Sequence, residues 1–218
     1  MFSSKRLLYL IKERRSVRLF NGKKIPQENV LSIIEAGIWA PTGCNNQELR
    51  FLILDKKEEI NEIVEFKPSF KGVSSIVLVF CDMSLPLSQK MYVGDKAAMH
   101  LPYVDTGLAL ENMVLYAKSQ GIDSCIFNLS EYHFKISRTN KRLIEKMVNL
   151  IKIRLGFHKS IGGNLEFFLR ERLKIPAHFK IICGVAFGYA KKYPDVNTES
   201  HGDKSIMRKS VDYYIINR

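Results

Sequence analysis

The sequence predicts a single α+β domain, and three observations carry that expectation. The chain has 218 residues, of which 46% are apolar and 26% charged, enough for one sizeable core and ordinary for a folded protein. Short runs rich in β-branched and aromatic residues alternate with segments of helical period. No repeat, low-complexity tract or linker divides the chain, so residues 1–218 are read as one domain.

The elements follow in order. Residues 3–14 set Leu7, Leu8, Leu10 and Ile11 on one face among Lys5, Arg6, Lys12 and Glu13, the pattern of an amphipathic helix. A second helix starts after Pro26, whose missing N–H costs nothing in a first turn, and ends near Trp39-Ala40-Pro41. Residues 50–54 and 75–81 read as buried strands, with a helix over 58–66 between them. The longest apolar helix spans 104–120 and closes at Gly121. Strands are expected over 123–129 and 179–189, with helices over 140–155 and 165–173, the latter stopped by Pro176. Residues 191–204 read as a loop, and the tail VDYYII as an edge strand or an arm reaching another subunit.

Thirty-four Lys and Arg against 22 Asp and Glu leave a net charge of +12, which favours anionic partners without choosing among them. No apolar run approaches the roughly 20 residues of a membrane-spanning helix, and the charged start does not read as a secretory leader, so a cytoplasmic chain with no membrane partner is expected. Cys44, Cys81, Cys125 and Cys183 are widely spaced, without a C-x-x-C pair, and read as reduced thiols rather than metal ligands. The five histidines are scattered and are assigned no chemistry.

Two segments carry candidate binding chemistry. In Arg14-Arg15-Ser16-Val17-Arg18, an extended backbone puts Arg14, Ser16 and Arg18 on one face, where guanidinium forks and a hydroxyl suit a phosphate. A basic helix end complementing the macrodipole is the other reading of the same residues. The second segment, Ala40 to Gln47, combines small residues with side-chain amides able to meet the edge of a flat heterocycle, or it is an ordinary turn.

RRSVRLF at 14–20 and WAPTGCNNQELRF at 39–51 together resemble the start of the FMN-dependent nitroreductase family. The stretches beginning at Asp105 and Gln120, LRERLKIP at 169–176, VAFGY at 185–189 and Arg208-Lys209 continue the resemblance in order. The resemblance implies a central mixed or antiparallel sheet flanked by helices, in an intertwined homodimer with FMN bound noncovalently at the subunit interface. Carried over by position, Arg14, Arg15, Ser16 and Arg18 would hold the phosphate and pyrimidine side of one flavin, joined by Lys204 and Arg208. Pro41, Thr42, Gly43, Asn45 and Gln47 would reach the flavin of the other subunit, and Ile126, Phe127 and Asn128 would run along the isoalloxazine edge. Lys67 or Lys71 are further cations able to stabilise charge on the reduced ring.

The implied activity is hydride transfer from NADH or NADPH to flavin N5, then ping-pong delivery to nitroaromatic, quinone or similar small electrophiles, with no protein general base named. Where several nitroreductases carry an acidic residue followed by glycine, this chain has Asn128-Leu129, an amide followed by a space-filling leucine. That departure leaves a specialised biosynthetic oxidation on the same fold as an alternative. Residues 130–168 read as a basic helical insertion, either capping the pocket or forming a solvated face. A nucleic-acid-binding module is the reading from another class, but the chain lacks a reading motif, so no specific nucleic-acid partner is expected.

Overall fold

The computed structural model describes residues 4–85, 100–129, 165–194 and 214–215. Helix α1 (Ser4–Glu13) leads to α2 (Gln27–Ile38), which enters at Pro26 as expected. Strand β1 (Leu49–Leu54) is followed by α3 (Lys57–Phe66) and by β2 (Ser75–Asp82). Then come α4 (Leu101–Ser119), β3 (Asp123–Phe127), α5 (Leu165–Leu173) and β4 (Phe179–Gly188). Helix α4 begins three residues before the sequence reading because Pro102 is accommodated in its first turn.

The four strands form one sheet in the order β1-β2-β4-β3, and every pairing is antiparallel. The alternation of β1, α3 and β2 is therefore not a parallel crossover: β1 and β2 are direct antiparallel neighbours, with Leu49 opposite Cys81 and Leu54 opposite Ile76. Helices cover both faces. Ile76, Leu78 and Phe80 of β2 pack with Ile60 and Ile63 of α3 and Leu165 and Leu169 of α5. Val77 and Val79 pack on the opposite face with Ile33 of α2 and Met113 of α4. Every residue of β2 is buried, which explains its unbroken apolar run. The close approach of α2 to α4 uses Gly37, where a Cβ would lie 2.7 Å from Met113.

In α1 no residue is buried; Leu7, Leu8, Tyr9 and Ile11 are all more than 40% exposed. The helix touches α4 along a narrow seam. On α4, Tyr103, Val104, Leu108 and Tyr116 are also exposed, as are Ile38 and Trp39 at the end of α2. Trp39 is 79% exposed in the single chain, so it contributes nothing to the chain's own core.

No helix among the described residues is long and apolar enough to cross a membrane. The helix read over 140–155 and most of the 130–168 insertion lie outside the described residues, and residues 165–168 already belong to α5. Of the tail, Tyr214 and Ile215 are described: both are exposed and Tyr214 is helical, so neither continues a strand.

Candidate functional site

The segment after α1 runs extended along the free edge of β3. Ser16 bridges Ser124 in parallel, and the Val17 amide donates to the Ser124 carbonyl at 3.0 Å. Val17 and Phe20 point inward, 0% and 3% exposed, which anchors the segment. The alternation turns Arg14, Ser16 and Arg18 outward, with Arg14 and Ser16 half-buried and Arg18 exposed. Arg15 is put to a different use. Its Nη1 donates to the carbonyls of Lys12 and of Arg14, the latter at 2.8 Å, so its guanidinium closes the C-terminus of α1 instead of joining the outward face. Of the two readings of this motif, the helix-end reading describes Arg15 and the shared-face reading describes Arg14, Ser16 and Arg18.

Lys67 joins this edge from the end of α3. It is 6% exposed, and its Nζ lies 5.3 Å from the centre of the Phe127 ring, a cation over an aromatic face. Burial pushes the Cys125 thiol up, and the charges of Arg18, Lys67 and Arg14 pull against that shift. The charges of three cations from two parts of the chain thus reach one buried thiol of β3. Lys71 is exposed, and its carbonyl receives the Phe20 amide at 3.3 Å.

Strand β3 divides its residues by parity. Ile126 is 42% exposed and Asn128 is exposed, whereas Phe127 is 6% exposed and stacks edge-on to Phe70 at 5.1 Å. Phe127 also fills the space above Gly184, where a Cβ would come within 2.3 Å of its ring. The three residues read from the sequence as one edge therefore fall on two faces, with Phe127 beneath. Leu129, 4% exposed, is part of the core rather than filling space beside a bound ring, and its carbonyl accepts the Glu166 amide at 3.2 Å.

The second segment connects α2 to β1 by a tight 3₁₀ turn, Gly43–Asn45. Three non-glycine residues adopt left-handed backbone, Cys44 (φ 50°), Asn45 (φ 54°) and Gln47 (φ 50°), a conformation that the surroundings must hold in place. The Thr42 carbonyl accepts the Asn45 amide at 3.0 Å and its hydroxyl accepts the Gln47 amide at 3.1 Å. The Gly43 amide donates to Asp105 Oδ2 at 3.0 Å, and Asn46 Nδ2 donates to Glu48 Oε2 at 3.2 Å. Pro41, Asn45 and Gln47 are exposed, and Thr42 and Gly43 half-buried.

Within one chain the two segments stand apart. The loop enters β1 at one edge of the sheet, and the arginine face lies against β3 at the other. Leu49 aligns through Cys81 with Lys180, while Ser124 pairs with Phe187, so the segments also lie towards opposite strand ends. Three inter-strand spacings of ~4.8 Å and a stagger of about 20 Å separate them by roughly 25 Å. Lys204 and Arg208 lie outside the described residues.

Sequence reasoning singled out both segments as candidates and offered Lys67 or Lys71 as further cations; the structure buries Lys67 and exposes Lys71. Sequence reasoning missed Glu48, which no local pattern marks, since its significance lies in its meeting with Asp105 of α4.

Comparison with known proteins gives a consistent picture. The model of the nitroreductase family matches residues 11–76 and 70–151. A Methanothermobacter thermautotrophicus protein, named as an NADH dehydrogenase/NAD(P)H nitroreductase, is 22% identical over 174 residues, 78% of this chain and 86% of its own length. The crystal structure of a Desulfovibrio desulfuricans protein, described as a nitroreductase in complex with FMN, superposes with a TM-score of 0.65. It is 22% identical, with 100% of this chain and 98% of that one covered. An FMN-dependent nitroreductase of Clostridium difficile superposes at 0.62 with 16% identity, covering 97% of this chain and 98% of its own.

Proposed function

Because the chain belongs to the nitroreductase family, we propose that it is an FMN-dependent oxidoreductase that takes electrons from NADH or NADPH and passes them to nitroaromatic, quinone or similar small electrophilic acceptors. The single observation that carries this reading is that the Arg14–Arg18 segment lies along β3 through the Ser16–Ser124 bridge and that its arginines, with Lys67, act on Cys125 of that strand. That donor set fits FMN on its own chemistry. Guanidinium groups and a hydroxyl form charge-assisted hydrogen bonds to a phosphate. A buried cation stabilises negative charge developing on an adjacent ring without reorganising.

Arg14 and Ser16 would hold the phosphate, with Arg208 and Lys204 completing that site from the C-terminal segment. Arg18 and Lys67 would face the pyrimidine side, with Ile126 and Asn128 along the outer edge of β3. Bound FMN supplies the hydride-accepting and hydride-donating chemistry. The protein residues bind and orient the group and fix positive charge beside it. Donor and acceptor would occupy this site in turn, which would give ping-pong kinetics.

The site is read as shared between two copies of the chain. The loop lies roughly 25 Å from the arginine face of its own chain, so Pro41, Thr42, Gly43, Asn45 and Gln47 are assigned to the flavin of the partner. The exposed apolar side chains of α1 and α4, with Trp39, supply a surface for that association.

The test is optical. The purified protein is expected to be yellow, or to become so with added FMN, and NADH or NADPH should bleach the flavin band anaerobically. A colourless protein unable to take up FMN contradicts the reading. The specialised-oxidase alternative now rests on Asn128 alone, because Leu129 is in the core. Stopped-flow mixing separates the two: flavin that stays oxidised with both nucleotides favours the oxidase.

A further inference from the structure

The loop that precedes β1 rests on two buried acids. Glu48 is 0% exposed and Asp105 is 3% exposed. Asn46 Nδ2 donates to Glu48 Oε2 at 3.2 Å, and the Gly43 amide donates to Asp105 Oδ2 at 3.0 Å. Glu48 Oε1, wholly buried, has no hydrogen-bond partner while both groups are carboxylates. Two adjacent carboxylates out of water cannot both remain ionised, and an orphaned buried oxygen is costly. One proton removes both difficulties. Placed on Glu48, it halves the buried charge and makes Oε1 a donor towards Asp105.

We propose that Glu48 carries a proton on Oε1 and donates it to the Asp105 carboxylate, and that this bond is the clasp that positions the Thr42–Gln47 loop. The left-handed backbone at Cys44, Asn45 and Gln47 needs external support, and the acids grip the turn at Gly43 and at Asn46. Loss of the proton leaves like charges facing each other beneath the turn, and the turn opens. Glu48 and Asp105 are thus positioning residues, acting through the loop and not on a reacting atom.

The surroundings favour the neutral form. Burial, and then Asp105, raise the Glu48 carboxyl above its ordinary value of 4.5. Among the described residues, Cys81 of β2 interacts with both acids and is itself pushed up to about 11 by burial and by Glu48 and Asp82, with Lys180 of β4 pulling it down. Arg50 of β1 is engaged with Asp82 at 3.6 Å, and His178 also acts on Asp82. The sign follows from the raised value: the clasp is complete at acid pH and is lost as pH rises through the folded-state pKa.

The effect of the clasp on flavin rests on the proposed function above, but the clasp itself does not. The experiment is hydrogen exchange of the Gly43 to Gln47 amides in the full-length protein as purified, corrected for intrinsic rates, between about pH 5 and pH 9. In the native chain the protection of Gly43 should fall about tenfold or more with rising pH, while β2 amides stay protected. In Glu48→Gln the side-chain amide donates to Asp105 at every pH, so the profile should be flat. A native profile as flat as that of Glu48→Gln overturns the proposal, as does a parallel fall in both. Asp105→Asn, whose amide supplies the same donor from the other side, gives the same test if Glu48→Gln does not fold. Flavin release followed in parallel separates the two readings. Release that tracks the loop supports both, and loop titration with pH-independent release upholds the clasp but contradicts the place of the loop at the flavin.

Discussion

Phe127 occupies the volume that any side chain at Gly184 would need, with a Cβ placed 2.3 Å from its ring. Gly184→Ala is therefore expected to displace the ring and destabilise the fold by about 1–3 kcal/mol, read by urea denaturation; an unchanged midpoint contradicts the packing described. The thiols give a second residue-level expectation. Burial holds Cys183 at about 12 and Cys81 at about 11, and raises Cys125, whereas Cys44 is exposed. In the flavin-free protein at pH 8, one thiol per chain should react with a chromogenic disulfide and four after denaturation. For the buried thiols the folded state favours the neutral form, so their stabilisation is present below the ordinary value of 9.0 and is lost as pH rises through the folded values. The arginines give a third. Arg14→Ala and Arg18→Ala should each weaken FMN binding about tenfold or more, the scale of a charge-assisted hydrogen bond at ~1.5–3 kcal/mol; flavin titration showing native affinity in both would remove the clamp. At this scale the period-2 alternation of Arg14, Ser16 and Arg18 was legible, because a segment anchored by Val17 obeys strand geometry. The buried position of Lys67 was not, since lysine enters an interior only where tertiary partners hold it there.

At the scale of elements, the period of apolar residues located each α-helix and strand the structure describes, but not the short 3₁₀ turns Gly43–Asn45 and Pro68–Phe70, which are too brief to display a period. The direction of pairing was less legible. Apolar runs separated by a helix are compatible with a parallel crossover or an antiparallel return, and nothing local to Phe51–Leu54 or Ile76–Phe80 distinguishes them. Burial on β3 was misread for a related reason: the run Ile126-Phe127-Asn128 looks like one edge until the strand is paired and its two faces are assigned. Helix α1 shows the opposite relation. Its amphipathic pattern was plain, yet the chain alone gives its apolar face little to cover it. On the proposed reading a second copy does so. Leu8→Lys with Tyr9→Lys should shift the protein towards monomer in light scattering and release flavin with it. A dimer of unchanged stability would show that α1 plays no part in association.

For the whole molecule, the excess of 12 positive charges is a general bias towards anions, while the charges of three of the cations reach Cys125 of the edge strand β3. The other proposed half of the site lies across the sheet, and this separation is the central feature of the account. A site formed within one chain would need the loop to cross roughly 25 Å; a site formed between two chains needs only that each copy lend its loop to the other. Mixing two variants that do not bind flavin decides between these arrangements. One carries Arg14→Ala with Arg18→Ala and an intact loop, and the other carries Thr42→Trp with intact arginines. After unfolding and refolding together in equal amounts, random pairing places the two intact halves together in one site of each mixed dimer, restoring about a quarter of the native flavin per chain. No recovery on mixing, with both variants folded and dimeric, would contradict a site shared between chains.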